Sequence, residues 1–133
     1  MRALKLFFIA IPFLQMSFVG TKEISQQNRW RFIADKNVHF GVDRDVIHVT
    51  GNDNYRQLKL KITNAPLKML DMKVHFDNGD VFDVSLRSQI RQGGESRVID
   101  LPGGSRSIRR IEFWYSTAGV LKGTARVAVW GRR

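Results

Sequence analysis

The sequence contains no cysteine. That excludes disulfides, thiolate ligands for a metal, and lipid attachment through an N-terminal cysteine. A domain built from this chain holds together by its core alone. Glutamate is scarce: Glu23, Glu95 and Glu112. No sequence mark supports a Glu/Asp pair of the kind that hydrolyses glycosides. The signatures of other chemistries are missing as well. There is no G-x-S-x-G elbow for a serine nucleophile and no phosphate loop of the GxxxxGK[ST] type. His39, His48 and His75 stand in no HxH or HExxH spacing, so a metal site would need distant residues to converge. Asp43 and Asp45 flank Arg44 without the DxDxDG loop of a calcium site, and they read as a polar turn opening a strand. No repeat of 20–50 residues and no low-complexity segment occurs. Neither cofactor nor metal is expected, and an enzyme is not the favoured class.

One long apolar run is present. Leu6 to Val19 is uncharged and follows Arg2 and Lys5. That is a basic start and an apolar stretch of signal-peptide length, short for a membrane span. Gly20 suits the last position before cleavage, whereas Phe18 is large for an A-x-A site. Residues 1–20 are therefore expected to be a signal peptide and the protein periplasmic or secreted, with no stable span after cleavage. Retention as an N-terminal anchor is the alternative. Residues 21–28 are a polar leader and 29–133 a single domain. Without residues 1–20 the chain keeps 20 basic and 12 acidic residues, a formal charge of +8. That excess favours anionic partners such as acidic polysaccharide or envelope components. Nucleic acid is not expected of an exported chain. The oligomeric state is not legible.

From Trp30 onward there is no helical period. Short apolar alternations recur between Gly, Asn, Asp and Pro. They predict strands at Trp30–Ala34, Val38–Phe40, Asp45–Val49, Tyr55–Thr63, Met69–Phe76, Val81–Arg87, Arg97–Leu101, Ile108–Ser116 and Ala125–Trp130. Eight or nine short strands in about 105 residues predict an all-β antiparallel sandwich, jelly-roll-like or immunoglobulin-like. The central hairpin is the best defined. Pairing Val74 with Phe82 and Met72 with Val84 through a three-residue loop, Asp77-Asn78-Gly79, keeps one face apolar. A two-residue turn would mix the faces. Leu70 is assigned to the same apolar face. Leu58, Leu60 and Ile62 point inward on the preceding strand, Lys59 and Lys61 outward, and all three strands are expected in one sheet.

Pro102-Gly103-Gly104 reads as a turn between two antiparallel strands, with Arg106, Arg109 and Arg110 displayed beyond it. Arginine suits carboxylate and sulfate because its planar fork makes two parallel bonds. Arg109, on the parity of Ile111, is expected at the core's rim. If Ile108–Ser116 and Ala125–Trp130 are neighbours, Arg110, Trp114, Arg126 and Trp130 share one amphipathic outer face. Arg106, Arg110, Trp114, Arg126 and Trp130 are thus the candidate ligand-binding residues. Trp30 is expected in the core.

Five motifs carry a resemblance. They are Trp30; Arg44-Asp45-Val46-Ile47; Phe76-Asp77-Asn78-Gly79; Gly93 through Gly103; and Arg106 through Tyr115. Together they resemble a family of small exported bacterial all-β proteins, a domain of unknown function. The resemblance implies an exported all-β domain and no particular reaction. The R-x-I-x-x-I-x-F rhythm is also similar to segments of carbohydrate-binding jelly rolls, a likeness of fold only. The functional expectation is a non-catalytic binding or interaction domain, with anionic glycan or an envelope component as ligand. A structural protein–protein domain and a hydrolase without a recognisable motif are the alternatives.

Overall fold

The computed structural model describes residues 29–41, 43–117 and 124–133. The expected signal segment and leader lie outside the described residues. Among the described residues are nine strands and no helix: β1 (Arg31–His39), β2 (Arg44–His48), β3 (Asn54–Tyr55), β4 (Gln57–Thr63), β5 (Leu67–Phe76), β6 (Val81–Ile90), β7 (Ile99–Asp100), β8 (Arg106–Ser116) and β9 (Thr124–Arg132).

All pairings are antiparallel, in two sheets. One runs β1-β9-β4-β7. The other runs β2-β8-β5-β6, and β3 pairs with β8 beyond the end of β2. The partners nest in chain order: β1 with β9, β2 with β8, β4 with β7, β5 with β6. A nested ribbon folded over into a four-stranded and a five-stranded layer is a jelly roll. This order decides between the two sandwich types that the sequence left open.

The core lies between the layers and follows from alternation. Leu58, Leu60 and Ile62 of β4 face Met72, Val74, Ile111 and Phe113 of the other sheet, and all are buried. Lys59 and Lys61 point away. The hairpin has the expected register, Val74 across from Phe82 and Met72 across from Val84. Phe76 N–H donates to the Asp80 carbonyl at 2.9 Å, closing the three-residue loop, and Gly79 takes φ +96° there. Glycine alone adopts that backbone without strain.

Several expectations are corrected. Trp30–Ala34 and Val38–Phe40 belong to one strand, β1, which bulges between Phe32 and Ala34. Tyr55–Thr63 is two strands. The chain changes layer at Arg56, so β4 lies in the sheet opposite β5 and β6. Alternation looks the same in either layer, which is why one pattern suggested one sheet. Two further bulges invert parity. In β5 the register shifts between Met69 and Asp71, so Met69 is buried and Leu70 is only half-buried. In β8 the shift falls between Ile108 and Arg110 as they meet Phe76 and His75, and it leaves Arg109 exposed rather than at the core's rim. Pro102-Gly103-Gly104 is a turn, with both glycines at φ +83°. It carries the chain from one sheet to the other instead of joining two paired strands.

Candidate functional site: a basic aromatic face

β8 and β9 are not neighbours. β8 bonds to β2 and β5, and β9 bonds to β1 and β4. Arg110 and Trp114 therefore look out from one side of the sandwich, and Arg126 and Trp130 from the opposite side. The single face expected of these four residues is two faces.

Arg106 is not displayed. Its guanidinium carbon lies 3.9 Å from the centre of the Phe76 ring. It donates to the Pro102 carbonyl at 2.9 Å, Asp80 Oδ2 at 2.9 Å and Asn78 Oδ1 at 3.3 Å. It clamps the hairpin loop to the glycine turn. The Asn78 amide and then Arg106 hold the Asp80 carboxyl below the usual carboxylate range. Arg110 is half-buried, between cross-strand positions His48 and His75.

The outer face of β1-β9-β4 carries three aromatic rings, Trp30, Phe32 and Trp130, and four cations, Lys59, Lys61, Arg126 and Arg132. The register sets them in rows. Phe32, Trp130 and Lys59 stand side by side; Asp35, Ala128 and Lys61 form the next row; Asn37, Arg126 and Thr63 the third. Trp30 closes the end of this face. Its ring lies 4.5 Å from Lys59 Nζ and 4.6 Å from the Arg132 guanidinium carbon. Such contacts of cation and ring are attractive, at about 0.5–1 kcal/mol each when exposed. Trp30 is thus outside the core, contrary to expectation. The inner positions at that end are filled by Tyr55 and Ile33, packed over Gly131. Phe32 meets Trp130 edge to face at 5.6 Å and remains 47% exposed. The Arg126 guanidinium lies 5.9 Å from the Phe32 ring and bonds Asp35 at 2.5 Å. Lys59 meets Glu95 at 3.3 Å, and Arg132 donates to Gln57 Oε1 at 2.8 Å. Lys61 has no ion pair among the described residues. In the middle Ala128 is buried, a low floor among longer neighbours.

Of the candidates from sequence, Arg126 and Trp130 belong to this face. Trp30, Phe32, Lys59, Lys61 and Arg132 were missed as a group. Their signal was parity: Lys59 and Lys61 alternate with buried leucines, and Arg126, Trp130 and Arg132 share one parity of β9.

The opposite outer face is organised differently. Glu112 on β8 accepts hydrogen bonds from Arg44 on β2 and pairs with His75 Nε2 on β5 at 2.6 Å. Arg44, and secondarily His75, hold the Glu112 carboxyl below its ordinary range. The Arg44 guanidinium carbon lies 5.8 Å from the Trp114 ring. Lys36 on β1 reaches Asp45 on β2 at 3.6 Å, tying the two layers at their edge. Among the described residues no group of three His, Asp or Glu side chains could hold a metal ion.

Fold and surface define an antiparallel jelly-roll domain with a basic aromatic face. Residues 11–131 match the domain of unknown function DUF2541, and the chain belongs to that family. A search of curated proteins finds no match. Among solved structures, the chain is similar to AlgX of Pseudomonas aeruginosa, with 10% identity and TM-score 0.49 over 77% of this chain and 26% of that one. A structure of infectious bursal disease virus, Gt strain, gives 12% identity and TM-score 0.37 over 81% and 33%. A mutant of a family 29 carbohydrate-binding module gives 11% and 0.35 over 77% and 91%. The chain thus spans about a quarter of AlgX and a third of the viral chain.

Proposed function

We propose that this is an exported, non-catalytic binding domain, periplasmic or secreted. Its ligand is an anionic glycan or acidic envelope component, held on the outer face of β1, β9 and β4. The observation that carries the reading is the contact of rings and cations there: Trp30 against Lys59 and Arg132, Phe32 against Arg126. An acidic sugar presents an apolar C–H face and a carboxylate or sulfate. The rings suit the first. Guanidinium forks and ammonium groups suit the second. The ion pair of Arg126 with Asp35 is part-exposed on both sides. Exposed pairs contribute little, so a ligand carboxylate can take the place of Asp35 at small cost. A formal charge of +8 without residues 1–20 draws polyanions toward the surface, and salt weakens that pull.

The test is binding of the purified protein to polygalacturonate at low and high salt. Lys61→Glu reverses the charge of a half-buried side chain that makes no ion pair among the described residues. Trp130→Ala removes the central ring. Both are expected to reduce retention at low salt at least fivefold, while Arg110→Ala on the far face leaves it unchanged. Retention that survives Lys61→Glu and Trp130→Ala together would remove this face from consideration.

A further inference from the structure

The far face holds a second opening. β5, β6 and β8 enclose a groove of about 420 Å³, lined by Asp71, Lys73, Asp83, Ser85 and Trp114 above buried Met72 and Val84. The register explains it. Trp114 stands across from Asp71, and Asp71 across from Ser85. A large ring on one side and a small hydroxyl on the other leave a step in the sheet surface. In the adjoining row Glu112, Lys73 and Asp83 stand side by side.

We propose that this groove binds a neutral pyranose, as a monosaccharide or as a unit of a neutral glycan, at a site separate from the basic face. The ring is braced from the side away from the groove. Arg44 lies beside Trp114 from β2, Glu112 bonds Arg44, and His75 bonds Glu112 in turn. A platform held in place before binding loses little freedom when a ligand arrives. The polar groups match the chemistry of sugar hydroxyls, which both donate and accept. The carboxylates of Asp71 and Asp83 only accept, the Lys73 ammonium only donates, and the Ser85 hydroxyl does both. Lys73 meets Asp83 at 3.6 Å and Arg87 meets Asp71 at 3.8 Å, in pairs that are largely exposed. Such pairs reorganise cheaply. Asp83, Asp71 and Glu112 are matched by Lys73, Arg87 and Arg44, so the groove offers an acidic sugar no excess of cations. The two faces thus sort ligands by charge.

The experiment titrates the full-length protein with neutral oligomers of glucose, galactose, mannose and N-acetylglucosamine, followed by tryptophan fluorescence and calorimetry. At least one neutral oligomer is expected to bind saturably. Trp114→Ala is expected to abolish that binding. Asp83→Asn, at an exposed position that does not test the fold, is expected to weaken it about fivefold or more. Lys61→Glu is expected to leave it unchanged while lowering retention of polygalacturonate, so the two sites fail independently. No saturable binding across the panel would overturn the proposal. So would binding unaffected by Trp114→Ala and Asp83→Asn, or equal competition by galacturonate oligomers.

Discussion

Gly131 lies on the inner side of β9, across from Leu58 on one neighbour and Arg31 on the other. A methyl group built there would stand 2.5 Å from Tyr55 Cδ1, 2.7 Å from Ile33 Cδ1 and 2.9 Å from Tyr55 Cε1. Ordinary carbon contacts begin near 3.5 Å, so the ring and the isoleucine must both retreat by several tenths of an ångström or more. Tyr55 is only 5% exposed, which leaves its ring little room to swing. Overpacking of this kind costs about 1–3 kcal/mol. Removing a glycine from the unfolded chain returns about 0.4–1 kcal/mol. Gly131→Ala is therefore expected to destabilise the domain by about 1–2 kcal/mol. With a urea slope of about 1–3 kcal/mol per molar, the unfolding midpoint falls by roughly 0.3–2 M. The atoms involved make the expectation specific. Ile33→Val removes Cδ1, so its cost and that of Gly131→Ala should combine to less than their sum. Tyr55→Phe keeps both clashing ring carbons and should not rescue. An unchanged midpoint for Gly131→Ala would refute the placement of the Tyr55 ring over β9.

Gly79→Val forces a β-branched residue to φ +96° and is expected to lower stability by about 1–3 kcal/mol in the same assay. Arg106→Ala loses the Phe76 stack and three hydrogen bonds. It should cost on the order of 1–2 kcal/mol, whereas Arg110→Ala should leave the stability within about 0.5 kcal/mol of the parent; equal effects would mean that Arg106 is not the clamp. Glu112 has a folded-state pKa below its unfolded value. Its contribution is present above the unfolded pKa and is lost as pH falls through the folded one. Glu112→Gln should therefore flatten the acid limb of the stability profile below about pH 4.5, and an acid limb as steep as the parent's would count against the Arg44–Glu112–His75 arrangement.

The in-and-out order along each strand was legible because burial on one side writes a period of two into the residues. Leu58, Leu60 and Ile62 are a clear case, and so is the hairpin, where only one loop length keeps Val74 and Phe82 on the same side. Bulges were not legible. One extra residue inverts everything beyond it, and neither Leu70 nor Arg109 differs in kind from its neighbours. Layer membership was hidden for a different reason. β8 and β9 carry the same alternation and the same mixture of arginine and tryptophan, yet their partners lie tens of residues away. The candidate face split for that reason. Trp30 was misplaced by the assumption that a large ring belongs inside; two cations and a flat sheet surface gave it a partly covered place outside.

The nested ribbon also governs when the domain can form. β9 is an inner strand of its sheet and hydrogen-bonds β1 on one side and β4 on the other. Asp35 waits for Arg126, 91 positions later. Strand pairing across such distances closes large loops, and proteins dominated by it fold in milliseconds to seconds. A chain emerging from its N-terminus has no spine for its first sheet until residues 124–132 are free. Until then β1 has no partner in its sheet, and β4 has only the short β7, at Gln57 and Leu58. The other sheet has all its strands by Ser116, so the two layers can be completed only in turn, and the last strand closes the sandwich.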